Sequence, residues 1–345
     1  MSLSSVVASA VASLSSKWAV VSSEVVPLVV SVLGTVKDAT FSTSTSSSGT
    51  IIGRVIDACD GYDALTVSLG VCLLFIYYSF TWSIIGNNCS KVDQIWSITP
   101  VVYAWLFYYL DDTKNERVLT MAVLITMWGA RLTFNFWRRG GYGNLIVHEE
   151  DYRWPILRQQ INNDLLFYLF NLTFIASYQN LLLWFICLPV YEVAKQGGEL
   201  LLRDKIVAVL FVVLLGFETI ADQQQWNFQN YKYSFSPPER ARHSNKDVVN
   251  GFLTTGLFTY TRHPNYFCEQ SIWVVVYLFS TNSSDASLVN WTIFGVIQLI
   301  ALFAGSMSFS EGITAKKYPA YLTYQKKVSQ CIPIPFFFIN DKKNK

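Results

Sequence analysis

Apolar stretches close to the ~20 residues that a helix needs to cross a bilayer recur along most of the chain. They predict spans over residues 64–85, 92–110, 118–137, 165–190 and 206–226, a sixth starting near Pro264, and a seventh over 289–307. Polar side chains interrupt these runs at helical spacing. Asp93, Trp96 and Pro100 fall in the second run. In the third, Trp128, Arg131, Asn135 and Arg138 stand at i, i+3, i+7 and i+10 and form one stripe. Glu218 and Asp222 lie one turn apart in the fifth. The expected architecture is all-α: a polytopic membrane protein with about seven transmembrane helices.

The flanks follow a different pattern. Residues 1–61 are rich in Ser, Thr, Ala and Val, with a Ser/Thr tract over 40–50, and read as a flexible leader. Within it, 18–36 is apolar enough for an uncleaved signal or an extra span, although Glu24 and Pro27 interrupt it. No Arg precedes Arg54, which fits a mitochondrial transit peptide poorly. The transmembrane domain is expected over 62–337, followed by a basic tail over 338–345.

Composition supports the membrane class: 52% of residues are hydrophobic and only 14% charged. The net charge of +2 points to no nucleic-acid partner, because the basic residues cluster by loop. The six Cys show no CxxC pairing, so neither a disulfide framework nor a metal site is expected. Three scattered His (148, 243, 263) exclude a zinc or di-iron cluster and the His boxes of a membrane desaturase. Most Lys and Arg fall on the side of the C-terminal tail, and the 281–288 loop opposite has none. The positive-inside rule then places the C-terminus in the cytoplasm. The tail pair Lys342–Lys343 resembles an endoplasmic-reticulum retrieval signal.

Four clusters are candidates for chemistry. The densest is 251–270, with Arg262, His263, Asn265, Tyr266 and Glu269 at the mouth of the sixth span. Ionisable groups at that depth are costly and usually functional. Pro264 has no N–H and suits the first turn of a helix, whose free N–H groups would face an anion beside Arg262 and His263. The plainer reading is a basic flank of a span. Glu218 and Asp222 would repel each other if both were ionised, so they need a cation, hydrogen-bond donors or a retained proton; Arg131 as simple packing glue is the plainer reading. A tail helix would set Lys317, Tyr321 and Tyr324 on one face with Tyr318 adjacent, as a lid or as an interfacial amphipathic helix. Asp93 reads as a buried proton donor or a helix N-cap.

Two groups of motifs carry a resemblance. The first is Gly256-Leu257…Tyr260-Thr261-Arg262-His263-Pro264-Asn265-Tyr266-Phe267…Glu269, with Glu311…Lys317-Tyr318…Tyr321…Tyr324 and Ile332-Pro333. The second is Asp93…Trp96, the Trp128-to-Arg138 stripe, Glu150-Asp151-Tyr152-Arg153 and Phe217-Glu218…Asp222. In order, over residues 65–337, they resemble the steroid 5-alpha-reductase-like C-terminal family, in an uncharacterised branch. Cys268 stands where that family usually has Gly, and no Gln-Ser-Glu-type motif marks a steroid substrate.

The resemblance implies a membrane reductase of a lipid that is sterol-like, polyprenyl or fatty, with NADPH entering from the cytosol. By position it implies that Asn265, Tyr266 and Glu269 hold the nicotinamide-ribose or pyrophosphate region, with Arg262 and His263 near phosphate. Asp222 would bind a cofactor hydroxyl or amide. Arg131, Arg138, Lys317 and Tyr321 would reach phosphate or adenosine, with Asn135 and Tyr318 lining the same site. Asp93, or a tyrosine such as Tyr103 or Tyr108, would supply the proton. Two alternatives remain open. One is a membrane methyltransferase using S-adenosylmethionine, since isoprenylcysteine and phospholipid methyltransferases carry a similar Arg-His-Pro core. The other is a non-enzymatic lipid-binding protein.

Overall fold

The computed structural model describes residues 62–111, 113–142, 150–281 and 289–333. The expected leader over 1–61, His148, the 282–288 loop, and the tail with Lys342–Lys343 lie outside the described residues. Among the described residues the regular structure is helical, without strands. In chain order the helices are α1 (Ala64–Ile85), α2 (Lys91–Trp96), α3 (Thr99–Tyr109), α4 (Glu116–Arg138), α5 (Arg153–Ile161), α6 (Asp164–Gln196) and α7 (Leu202–Tyr233). They continue with α8 (Pro237–Ala241), α9 (Lys246–Asn250), α10 (Pro264–Ser280), α11 (Ile293–Lys317) and α12 (Tyr321–Lys327).

Five of these, α1, α4, α6, α7 and α11, are long and apolar enough to cross a membrane, which makes the chain a multi-pass membrane protein. The second expected span is not one helix. It breaks between Trp96 and Thr99, and α3 carries Pro100 in its first turn, where a missing N–H costs nothing. The helix expected to form the sixth span begins at Pro264 as read from the sequence, but its 17 residues leave it outside the five long apolar helices. The expected tail helix is also divided. Tyr318 caps α11 in an extended conformation (φ −131°, ψ 90°), because the following Pro319 disfavours the helical region for it. Lys317 therefore ends one helix and Tyr321 begins another.

Polar pairs fix the directions of the helices. Ser68, Ser79 and Ser83 of α1 accept hydrogen bonds from Trp184, Asn180 and Asn171 of α6 at 2.9, 3.1 and 2.7 Å. The order is reversed, so α1 and α6 are antiparallel, held by side-chain bonds that matter where water is absent. α4 and α7 are parallel: Arg117 pairs with Asp204 at 2.9 Å, and fourteen residues further on in both helices Arg131 pairs with Glu218 at 2.8 Å. The two pairs stand about 21 Å apart along the helix. α10 runs the other way, since the Phe279 carbonyl accepts from Arg117 at 2.7 Å while Glu269 meets Arg131.

The apolar core gathers Trp128 of α4, Leu183 and Ile186 of α6, Phe211 of α7, and Ile272 and Trp273 of α10. Gly129 lets α4 approach the α2–α3 break. A Cβ there would lie 2.6 Å from Val101 Cγ2 and 2.7 Å from the Ser97 carbonyl oxygen. Beside it, Ser97 and Thr133 share a 2.7 Å hydrogen bond. Gly129→Leu is therefore expected to overpack this contact and destabilise the protein by about 1–3 kcal/mol. Thermal unfolding in detergent would read the loss, and an unchanged midpoint would mean that the helices separate freely here.

Candidate functional site

The predicted stripe on α4 and the acid pair on α7 meet the start of α10 in one buried cluster. Arg131 is its centre. Its guanidinium reaches Glu218 at 2.8 Å, Asp222 at 2.6 Å and Glu269 at 3.3 Å, all with side chains at least nine-tenths buried. Asn135 donates to Asp222 Oδ2 at 2.6 Å and Asn265 to Oδ1 at 3.2 Å. Glu269 also accepts from two indoles, Trp128 at 2.8 Å and Trp273 at 3.0 Å, whose rings stand edge to face. Trp273 was not singled out by the sequence, although it lies one turn after Glu269.

Three carboxyl groups around one guanidinium leave this interior short of positive charge. Glu218 also lies against Glu269, and two buried atoms remain open: no donor reaches Glu218 Oε2, and Arg131 Nε finds no acceptor. Arg138, two turns beyond Arg131, donates to Gln223 at 2.9 Å and lies over the Trp226 ring at 4.7 Å, with no acid in ion-pair range among the described residues.

Arg262 and His263 belong to a second cluster. Arg262 forms a bidentate pair with Glu311 of α11, at 2.6 and 2.9 Å. Its remaining nitrogen donates to the carbonyls of Gln325 and Val328. His263 Nε2 lies 2.9 Å from Glu311, and Gln325 donates to the same carboxylate at 2.8 Å. Tyr321 adds a donation at 3.4 Å; burial, reinforced by Glu311, pushes its phenol pKa up and keeps it a donor. Arg262 is thus engaged inside the protein rather than presented to an anion, and it ties the C-terminal segment to the loop before α10. Thr261 strengthens the tie by donating to the Cys331 carbonyl at 2.8 Å.

The remaining predicted residues are distributed around these two clusters. Tyr266 stacks on His263 with ring centroids 5.2 Å apart and meets Phe303 edge to face. Asp93 is in the first turn of α2, behind the N-cap Ser90, and accepts from Trp154 at 3.3 Å. Arg153 lies close to both Asp93 and Tyr266, and pairs with Asp151 at 2.7 Å and Ser306 at 3.1 Å. Lys317 and Tyr318 sit together beside Lys232, a residue the motifs did not include. Tyr103 is not brought to the others. It is fully buried against Phe75 and Cys72 in the α1–α3 core.

Charge balance makes the inner cluster testable. Arg131→Met would strand three buried carboxyls and should cost about 3–5 kcal/mol. Glu218→Gln removes one excess acid with little change in shape and should hold or raise stability. Unfolding of the two purified variants side by side checks the pair; an Arg131→Met protein as stable as the wild type would remove Arg131 from the centre of the cluster.

The comparisons with known proteins agree with one another. A protein of Schizosaccharomyces pombe described as uncharacterised is 37% identical over 283 residues, covering 79% of this chain and 81% of its own length. No solved structure matches. The family described as "Protein of unknown function (DUF1295)" matches residues 79–328, which contain the whole Arg131 cluster and the Arg262–Glu311 clasp. The chain therefore belongs to the DUF1295 family.

Proposed function

We propose that this protein is a membrane-embedded reductase that uses NADPH to reduce a lipid, within a steroid 5-alpha-reductase-like architecture. The observation that carries the reading is a separation of charge along α4 and α7. The inner end, at Arg131, Glu218, Asp222 and Glu269, is acid-rich. The outer end, at Arg138, Lys232, Arg240 and Lys317, has no carboxylate in ion-pair range among the described residues. A ligand with a cationic or amide head and a phosphate tail matches both ends. NADPH would supply hydride, and its nicotinamide becomes a pyridinium cation as it does so. The open donor at Arg131 Nε and the open acceptor at Glu218 Oε2 suit a carboxamide. Asn265 and Asp222 would orient that end of the ligand, and Glu269, fixed by two indoles, would favour the positive charge. Asp93, close to Arg153 and through it to Tyr266, remains the proposed proton donor; Tyr103, enclosed by apolar neighbours, is the weaker candidate.

One alternative draws on the same acid-rich end. The sulfonium of S-adenosylmethionine is also a cation, so a methyltransferase is the second reading, but that ligand has no phosphate for the basic end. On this proposal α2–α3 and α10 complete seven crossings, the basic end faces the cytosol, and the membrane is the endoplasmic reticulum. The substrate would enter from the bilayer.

Thermal stability of the detergent-purified protein with NADPH, NADH and S-adenosylmethionine tests the cofactor, because a ligand of the folded state raises its midpoint. NADPH is expected to stabilise the wild type and to lose that effect in Asn265→Ala. Stabilisation by S-adenosylmethionine alone would replace the reductase by a methyltransferase. A tag after the tail is expected to be reachable from the cytosolic side of sealed vesicles; protection there would reverse the topology.

A further inference from the structure

Past the inner cluster, α7 carries a basic group that no motif accounts for. Lys232, ten residues beyond Asp222 and about 15 Å along the helix, is buried, with 3% of its surface exposed. Its Nζ donates to the Gly251 carbonyl at 3.0 Å and lies 4.6 Å from the Tyr233 ring centre and 5.8 Å from that of Tyr318. Arg240, from α8, covers Tyr233 at 5.1 Å, and Lys317, from the end of α11, lies 5.5 Å from the Tyr318 ring centre. Two phenols are thus held among three cations.

Glu239 of α8 and Asp247 of α9 are engaged elsewhere. Glu239 accepts from the Ser236 backbone and hydroxyl at 2.8 and 2.6 Å. Asp247 is held by Thr254 at 3.0 and 2.5 Å and by Thr255 at 3.2 Å. No carboxylate lies in ion-pair range of Lys232, Arg240 or Lys317 among the described residues. Arg240 Nε is buried and has no acceptor. A buried ammonium beside two further cations is costly unless an anion completes the group. Rings on two sides and an open guanidinium N–H favour a compact, multivalent oxyanion over a carboxylate.

We infer that Lys232, Arg240 and Lys317, with Tyr233 and Tyr318, form a binding site for a phosphomonoester. The phosphate could be the 2′-phosphate of NADPH, in which case the inference rests on the proposed reductase function and locates its preference for NADPH over NADH. It could equally be the headgroup of a phosphatidic-acid-type lipid, which would not depend on that function. Arg131 is excluded from the first role by its three carboxylates.

The test compares the wild-type protein with Arg240→Gln/Lys317→Gln and, separately, Lys232→Gln. Each is titrated with adenosine 2′,5′-bisphosphate, NADPH and NADH, and reconstituted into nanodiscs of phosphatidylcholine with or without phosphatidic acid. The expected result is a loss of about tenfold or more in affinity for the phosphomonoester ligands, as for other charge-assisted hydrogen bonds, with NADH unchanged. The exposed Lys317 and the half-buried Arg240 keep the double variant informative if Lys232→Gln fails to fold. If the wild type binds phosphatidic acid but no nucleotide, and the variants lose that binding, the site stands and the reductase reading falls. Variants that bind every phosphomonoester as tightly as the wild type would overturn the site, as would a wild type that binds none from either source.

Discussion

The bundle depends on one guanidinium. Arg131 joins α4 to α7 through Glu218 and Asp222 and to α10 through Glu269, with all four side chains at least nine-tenths buried. An isolated charge at that depth would be prohibitive, and so would three carboxyls without it. Each helix therefore needs the other two in place before its polar side chains can be buried. The apolar contacts of Trp128, Trp273 and Phe211 close around that constraint, and the Arg117–Asp204 pair holds the same helices at their other ends.

The same constraint sorts the cations into two kinds. Arg131, Arg117 and Arg262 are structural in the sense that the charge of each is met by at least one carboxylate inside the protein. Arg138, Lys232, Arg240 and Lys317 are held by aromatic rings and amides and keep their charge unneutralised. A count of basic residues near a site cannot separate these kinds; their partners can. The separation gives the molecule an internal electrostatic gradient, acidic around Arg131 and basic toward Arg138, Lys232, Arg240 and Lys317.

Much of the inner site was legible in the sequence. The α4 stripe and the α7 acid pair follow from a 3.6-residue period, because polar residues on one face of an apolar helix must meet something polar. The start of α10 followed from Pro264. Other features depend on contacts that the spacing does not encode. The commitment of Arg262 to Glu311 links residues 49 positions apart. The seclusion of Tyr103 reflects the packing of α1 and α3 rather than any local pattern. The break at Tyr318 could have been read from Pro319, but the spacing of Lys317, Tyr321 and Tyr324 suggested a continuous helix and outweighed it.

The clasp on Arg262 also bears on how the chain is made. Its partners Glu311, Gln325 and Val328 emerge from the ribosome some fifty to seventy residues after Arg262 itself. Until they arrive, the loop before α10 holds a guanidinium without the carboxylate that pairs with it. Closing that loop is therefore a late event of biosynthesis, and a chain cut short within α11 before Glu311 would leave Arg262 without the carboxylate that pairs with it.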